Sequence, residues 1–221
     1  MKRISLLMLF SGLAGLGFSQ RPLHPVVSAT KMNVVYRGIP NPIDAAVPGR
    51  MWDELEVRVD SIHTWACLGE GSFVLTPSTD PSVQSVKVHV RIPEAPLGEQ
   101  TLNPVEFRIK RVPDPSLYWM GLEASDQYVS RSTIFSFAPV ASRMTGFDFD
   151  VKTRVIEFWL GIERHGVFTY FRSDTNRLTE DMKAALVQTQ RGDRIWLGNA
   201  LASMPDGTER ELPPLLLTLQ D

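Results

Sequence analysis

Hydrophobic and polar residues alternate in short runs through the first half of the chain. Leu55, Val57 and Val59 share one strand face. Val86, Val88, Val90 and Ile92 share another, with Lys87, His89 and Arg91 on the opposite side. Val105, Phe107 and Ile109 repeat the pattern, with Glu106, Arg108 and Lys110 outside. A period of two marks strands with one packed face and one wet face. Lys31 to Tyr36 predicts a further strand. Arg37-Gly-Ile-Pro-Asn-Pro42 and Val47-Pro-Gly-Arg50 predict turns, because proline removes backbone donors and glycine admits unusual dihedral angles. The spacing gives about seven strands in roughly 90 residues, which predicts an immunoglobulin-like β-sandwich.

The pattern changes after Val112-Pro-Asp-Pro115. Pro113 cannot join a central strand and biases Val112 to an extended conformation, so this stretch predicts a short, stiff link between domains. Beyond it, Phe147, Phe149 and Val151 alternate in GFDFDVKTRVIEFWLGI and predict a strand. The chain then turns at Glu163-Arg-His-Gly166 and returns as a hairpin partner over Val167 to Phe171. A helix follows. Thr179 is a good N-cap, Glu180 and Asp181 occupy the first turn, and Met182, Ala185, Leu186 and Thr189 share a face, with Gly192 as the stop. Arg194 to Leu201 predicts a strand, Met204-Pro-Asp-Gly207 a turn and Pro214 to Leu219 the last strand. Ser130 to Phe137 predicts a short helix. The fold class expected is mainly β: a sandwich over residues 20–112 and an α+β domain, a sheet with one packed helix, over 113–221.

The N-terminus adds a targeting signal. Lys2 and Arg3 precede an uncharged apolar run from Ile4 to Phe18, and Gly17 and Ser19 place small residues before Gln20. This reads as a secretory signal peptide over residues 1–19, since the run is shorter than the roughly 20 residues that a bilayer span needs. Export to the periplasm is the expectation. Mean hydropathy of −0.08 agrees with a soluble mature product. A net charge of −2 gives no global reason to bind nucleic acid.

Candidate chemistry is sparse. Cys67, the one cysteine of the chain, excludes an intramolecular disulfide and is expected as a small buried hydrophobe in its strand. His24, His63, His89 and His165 have no metal-ligand spacing. Asp148 and Asp150 share a strand face if FDFD is a strand, but nothing separates their pKa values as acid–base catalysis requires. Ser173-Asp-Thr-Asn176 lacks the glycine and terminal glutamate of an EF-hand loop and reads as turn and cap chemistry. Phosphate-binding, dinucleotide-binding and G-x-S-x-G patterns are missing from the sequence. The chain is expected to be no enzyme and to use no cofactor or metal. A partner surface is expected near the link, from the basic run Arg108, Lys110 and Arg111 with Tyr118 and Trp119.

Six tracts in order carry a resemblance: ATKMNVVYRGIPNPIDAAVPG at 29–49, FRIKRVPDP at 107–115, FDFDVKTRV at 147–155, NRLTEDMKAAL at 176–186, RGDRIWLGNALASMPDG at 191–207 and ELPPLLLTL at 211–219. Together they resemble the C-terminal periplasmic region of the gliding-motility and type IX secretion protein GldM, also called PorM. The resemblance implies a distal stalk of β-rich domains, dimeric in that family, that reaches towards an outer-membrane-associated ring. In this sequence a signal peptide stands where the family has a transmembrane helix, so the resemblance implies the two distal domains exported alone. The expected partners are envelope proteins of a secretion or gliding apparatus or a GldM-like paralogue, with a weak homodimer. The alternative is a periplasmic glycan- or peptide-binding protein with aromatics such as Trp119, Tyr118 and Tyr128 around its site. A hydrolase on a β-rich scaffold is the third reading.

Overall fold

The structure is a computed structural model that describes residues 32–98 and 100–221. The signal-peptide expectation over 1–19, His24 and Lys31 lie outside the described residues.

The first half is an immunoglobulin-like sandwich of seven strands among the described residues: β1 (Val34–Tyr36), β2 (Asn41–Asp44), β3 (Glu56–Arg58), β4 (Thr64–Gly69), β5 (Ser72–Thr76), β6 (Ser85–Arg91) and β7 (Val105–Lys110). One sheet has the order β1-β7-β6-β3 and the other β2-β5-β4. The β1–β7 pair is parallel, with Val35 beside Ile109. The alternation decides which side chains fill the space between the sheets. Val35, Leu75, Val86 and Ile109 are buried there, with Trp65 stacked on Phe73 at 4.7 Å. Pro42 sits in edge strand β2, where a missing donor removes no ladder bond that a second neighbour needs.

Two expectations fail in this half. Cys67 is exposed, not buried. It lies on β4, an edge strand, at the irregularity in the pairing just before the Glu70-Gly71 turn into β5. Val105, assigned to the packed face, is 44% exposed, because it lines the open end of the sandwich with Val90 and Ala46.

The second half is the α+β domain. A small antiparallel sheet pairs β8 (Ser116–Tyr118) with β10 (Ala141–Arg143). The main sheet contains β9 (Tyr128–Val129), β11 (Arg154–Arg164), β12 (Val167–Ser173), β13 (Arg194–Ser203), β14 (Glu209–Leu212) and β15 (Leu215–Leu219). Its order is β12-β11-β13-β15-β9, and β14 pairs with the far end of β13. The β11–β12 hairpin closes through His165 and Gly166, both at positive φ (+49° and +79°), the geometry that matches the twist of the flanking strands. Strands β8, β9, β10 and β14 were not legible in the hydrophobic pattern.

Helices α1 (Arg131–Ile134) and α2 (Glu180–Val187) begin where their caps dictate. Ser130 Oγ accepts from the Thr133 N–H at 3.1 Å, and Thr179 Oγ1 accepts from the Met182 N–H at 3.2 Å. Met182 and Leu186 of α2 are fully buried against the sheet with Phe158, Leu160, Leu197 and Leu217.

The strand expected over Phe147–Val151 does not form; residues 144–153 have no strand structure and β11 starts at Arg154. The alternation has another cause. Phe147, Phe149 and Val151 pack with Tyr36 against a third buried cluster of Ile39, Val112 and Met204, which joins the two halves.

Candidate interaction surface

The residues singled out near the link separate in space. Arg108 and Lys110 stand exposed on the outer face of β7. Arg111 turns towards the link instead, and its guanidinium donates to Asp114 at 2.7 Å. Tyr118 is half-buried, with the Arg143 guanidinium 5.4 Å from its ring centre. Trp119 is completely buried, and its indole N–H donates to the Ala138 carbonyl at 3.0 Å. It is therefore no part of a surface, and neither a partner nor a glycan can stack on it. The correction follows from alternation along β8 and past its end, where Leu117 and then Trp119 enter the domain core.

A different surface emerges from strand register. Tyr170 pairs with Gly161, Gly161 with Trp196, and Trp196 with Leu216. These four residues form one row across β12, β11, β13 and β15. The row lies on the sheet face opposite α2, because their neighbours Leu160, Ile162, Ile195, Leu197, Leu215 and Leu217 point into the core. Tyr170 is 57% and Leu216 55% exposed. Phe168, two residues before Tyr170, shares the face, with ring centres 4.8 Å apart.

Two glycines make room for these rings. A Cβ on Gly161 would stand 2.5 Å from the Phe168 ring, and one on Gly198 would stand 2.0 Å from the Trp196 indole. Without side chains there, the rings occupy the space that a Cβ would fill.

Ion pairs surround the row. Arg194 meets Glu163 at 3.6 Å on one side, and Arg172 meets Glu157 and Asp174, each at 3.0 Å, on the other. An apolar, aromatic centre within a polar rim is the anatomy of a protein-binding surface. Beside it, β12 pairs with β11 alone among the described residues, which leaves its outer edge unpaired among them. Around the edge, a groove of about 570 Å³ runs between β12 and α2, lined by Ile162, Thr169, Phe171, Ala184 and Ala185.

Polar chemistry elsewhere is structural. Asp148 and Asp150 are exposed and lie on no strand. His63 is buried; its Nδ1 accepts from the Ser78 N–H at 3.1 Å, while Nε2 has no hydrogen-bond partner among the described residues. Burial lowers its pKa, partly offset by Asp60, so the ring is held neutral. Ser173 Oγ donates to the Arg177 carbonyl at 2.7 Å, which makes the Ser173–Asn176 stretch a turn before the α2 cap. Among the described residues, no group of three or more His, Cys, Asp or Glu is placed to hold a metal ion. No helix among them is long and apolar enough to cross a membrane.

A family model described as the GldM third domain matches residues 25–110, and one described as the GldM C-terminal domain matches residues 113–220. No curated protein matches the chain. Among solved structures, the chain is similar to the crystal structure of chicken VE-cadherin EC1-2, at 12% identity and a TM-score of 0.25, over 84% of this chain and 95% of that one.

Proposed function

The chain belongs to the GldM family, in that family's third and C-terminal domains, and from this premise we propose that it is a non-enzymatic interaction module of the gliding and type IX secretion apparatus. It works in the periplasm, as residues 20–112 and 113–221 arranged as two domains. Its partner is an envelope protein of that apparatus or a GldM-like paralogue. It binds by surface complementarity and needs no cofactor.

The observation that carries this reading is the row Tyr170, Gly161, Trp196 and Leu216 on the open face of the main sheet. Isolated exposed apolar residues are ordinary, but a contiguous aromatic row with a charged rim has the composition of a binding surface. The unpaired edge of β12 adds a second means of attachment, strand addition by a partner segment.

The test is crosslinking in native envelopes followed by mass spectrometry, with the parent chain and a Tyr170→Glu/Leu216→Glu variant. The parent is expected to recover components of the apparatus and the variant to lose them. Leu97→Glu, at a site 95% exposed on the sandwich, serves as the control and should bind as the parent does. Recovery of no envelope protein by the parent would overturn the function; equal recovery by parent and double variant would overturn the surface.

A further inference from the structure

We infer that a clasp centred on Arg210 locks the sandwich and the α+β domain into one rigid unit, so that the angle between them is set by folding and not by a partner.

Arg210 lies on β14 and is only 6% exposed. Its guanidinium is divided three ways. Nε donates to Thr208 Oγ1 at 2.7 Å, Nη2 to Asp206 at 2.8 Å, and Nη1 to Asp114 at 2.9 Å. The first two partners belong to the β13–β14 turn. The third sits between Pro113 and Pro115 in the link itself. The other oxygen of Asp114 is taken by Arg111, at the end of the sandwich. One carboxylate is thus held from both sides, by the last residues of one half and by a buried side chain of the other.

The backbone supports the same junction. Gly38, in the β1–β2 turn, passes so close that a Cβ there would stand 2.7 Å from the Asp206 Cα. Its φ of +69° also favours glycine. Its neighbour Arg37 is buried and donates to the carbonyls of Asp80 and Val83, which holds the β5–β6 loop in place beside the clasp. On the other side, Ile39 and Val112 of the sandwich bury Met204.

An exposed ion pair contributes little, but the Arg210 guanidinium and the Asp206 carboxylate are both out of water, with half-exposed Asp114 held on the same guanidinium. Burial pushes the Asp206 carboxyl up, yet hydrogen bonds from Thr208 and the Arg210 charge bring it below the ordinary aspartate value. It therefore stays ionised through the neutral range, and the clasp stays closed. Removing the guanidinium leaves a buried carboxylate unpaired, which is far more disruptive than losing a surface contact. A load or partner engaged on the outer sheet face then moves the sandwich with it.

The test measures the spread of one distance across the junction by pulsed electron paramagnetic resonance. Spin labels go on exposed Cys67 and on Val187→Cys, at a site 48% exposed on α2. The labelled parent is expected to give one narrow distance distribution. Arg210→Ala in this background should broaden it at least twofold with an unchanged far-UV spectrum, and should split one calorimetric transition into two. Should Arg210→Ala fail to fold, Asp114→Ala decides, since Asp114 is half-exposed and its loss removes only the Arg210 and Arg111 contacts; broadening is expected again. A broad distribution in the parent, or a folded variant as narrow and as cooperative as the parent, would overturn the inference.

Discussion

The indole of Trp196 occupies the space beside Gly198, two residues along the same strand, where a Cβ would stand 2.0 Å from it. The exposed row therefore depends on a missing side chain. Gly198→Ala is expected to lift the indole and cost about 1–3 kcal/mol, the usual range for overpacking. Thermal melting with tryptophan fluorescence checks it: a lower midpoint and a changed emission maximum are expected. An unchanged midpoint and spectrum would mean that the ring does not rest there.

Leu186 decides whether α2 stays on the sheet. It is fully buried in the core together with Met182. Leu186→Ala should lose about 2–5 kcal/mol, as large-to-small changes in cores do. Leu186→Asp should unfold the domain by burying a charge. Urea denaturation followed by circular dichroism measures both, and Val187→Asp, half-exposed on the next helix position, should be nearly neutral.

His63 makes stability depend on pH with a definite sign. Its folded pKa lies below 6.5 because burial penalises the charged ring, so the unfolded chain binds the proton more readily. The contribution is intact above pH 6.5 and falls away as the pH drops through 6.5 towards the depressed folded value. Below that value it changes no further. Midpoints measured over a window of about three pH units around the His range should decline on the acid side in the parent. His63→Gln, which keeps an acceptor for the Ser78 N–H, should flatten that decline; an identical slope would remove His63 as its source.

A fragment of residues 32–112 retains the core of Val35, Leu75, Val86 and Ile109 and is expected to fold alone. It also uncovers Ile39 and Val112, which are buried in the whole chain. Its midpoint should therefore fall below that of the full chain. A fragment with no β spectrum would show that the sandwich needs the second half in order to fold.

Local rules made much of this fold legible. The strands β6 and β7 follow from alternation, because a strand packed on one face must present apolar side chains at every second residue. Helix α2 follows from Thr179 and the spacing of Met182 and Leu186, and the β11–β12 turn from His-Gly. Each of these signals is contained within a few neighbouring residues. The six tracts that resemble GldM were legible for the same reason: they are contiguous.

Other features were decided only in three dimensions. The alternation in Phe147–Val151 is as regular as that of a strand, yet Tyr36 collects its side chains, with Phe147 edge-on at 4.7 Å and Phe149 at 5.2 Å. Period two states that every second residue is buried; it does not state against what. Trp119 looked available beside a link and proved to be core, because burial depends on the elements folded over β8. The row of Tyr170, Gly161, Trp196 and Leu216 joins positions from four strands, and a one-residue slip in any register would turn that strand's member inward. Arg210 and Asp114 meet 96 positions apart. The sequence by itself determined which segments extend, turn or coil, since those choices are local; which faces meet was decided by the tertiary structure, since register and burial are properties of the whole chain.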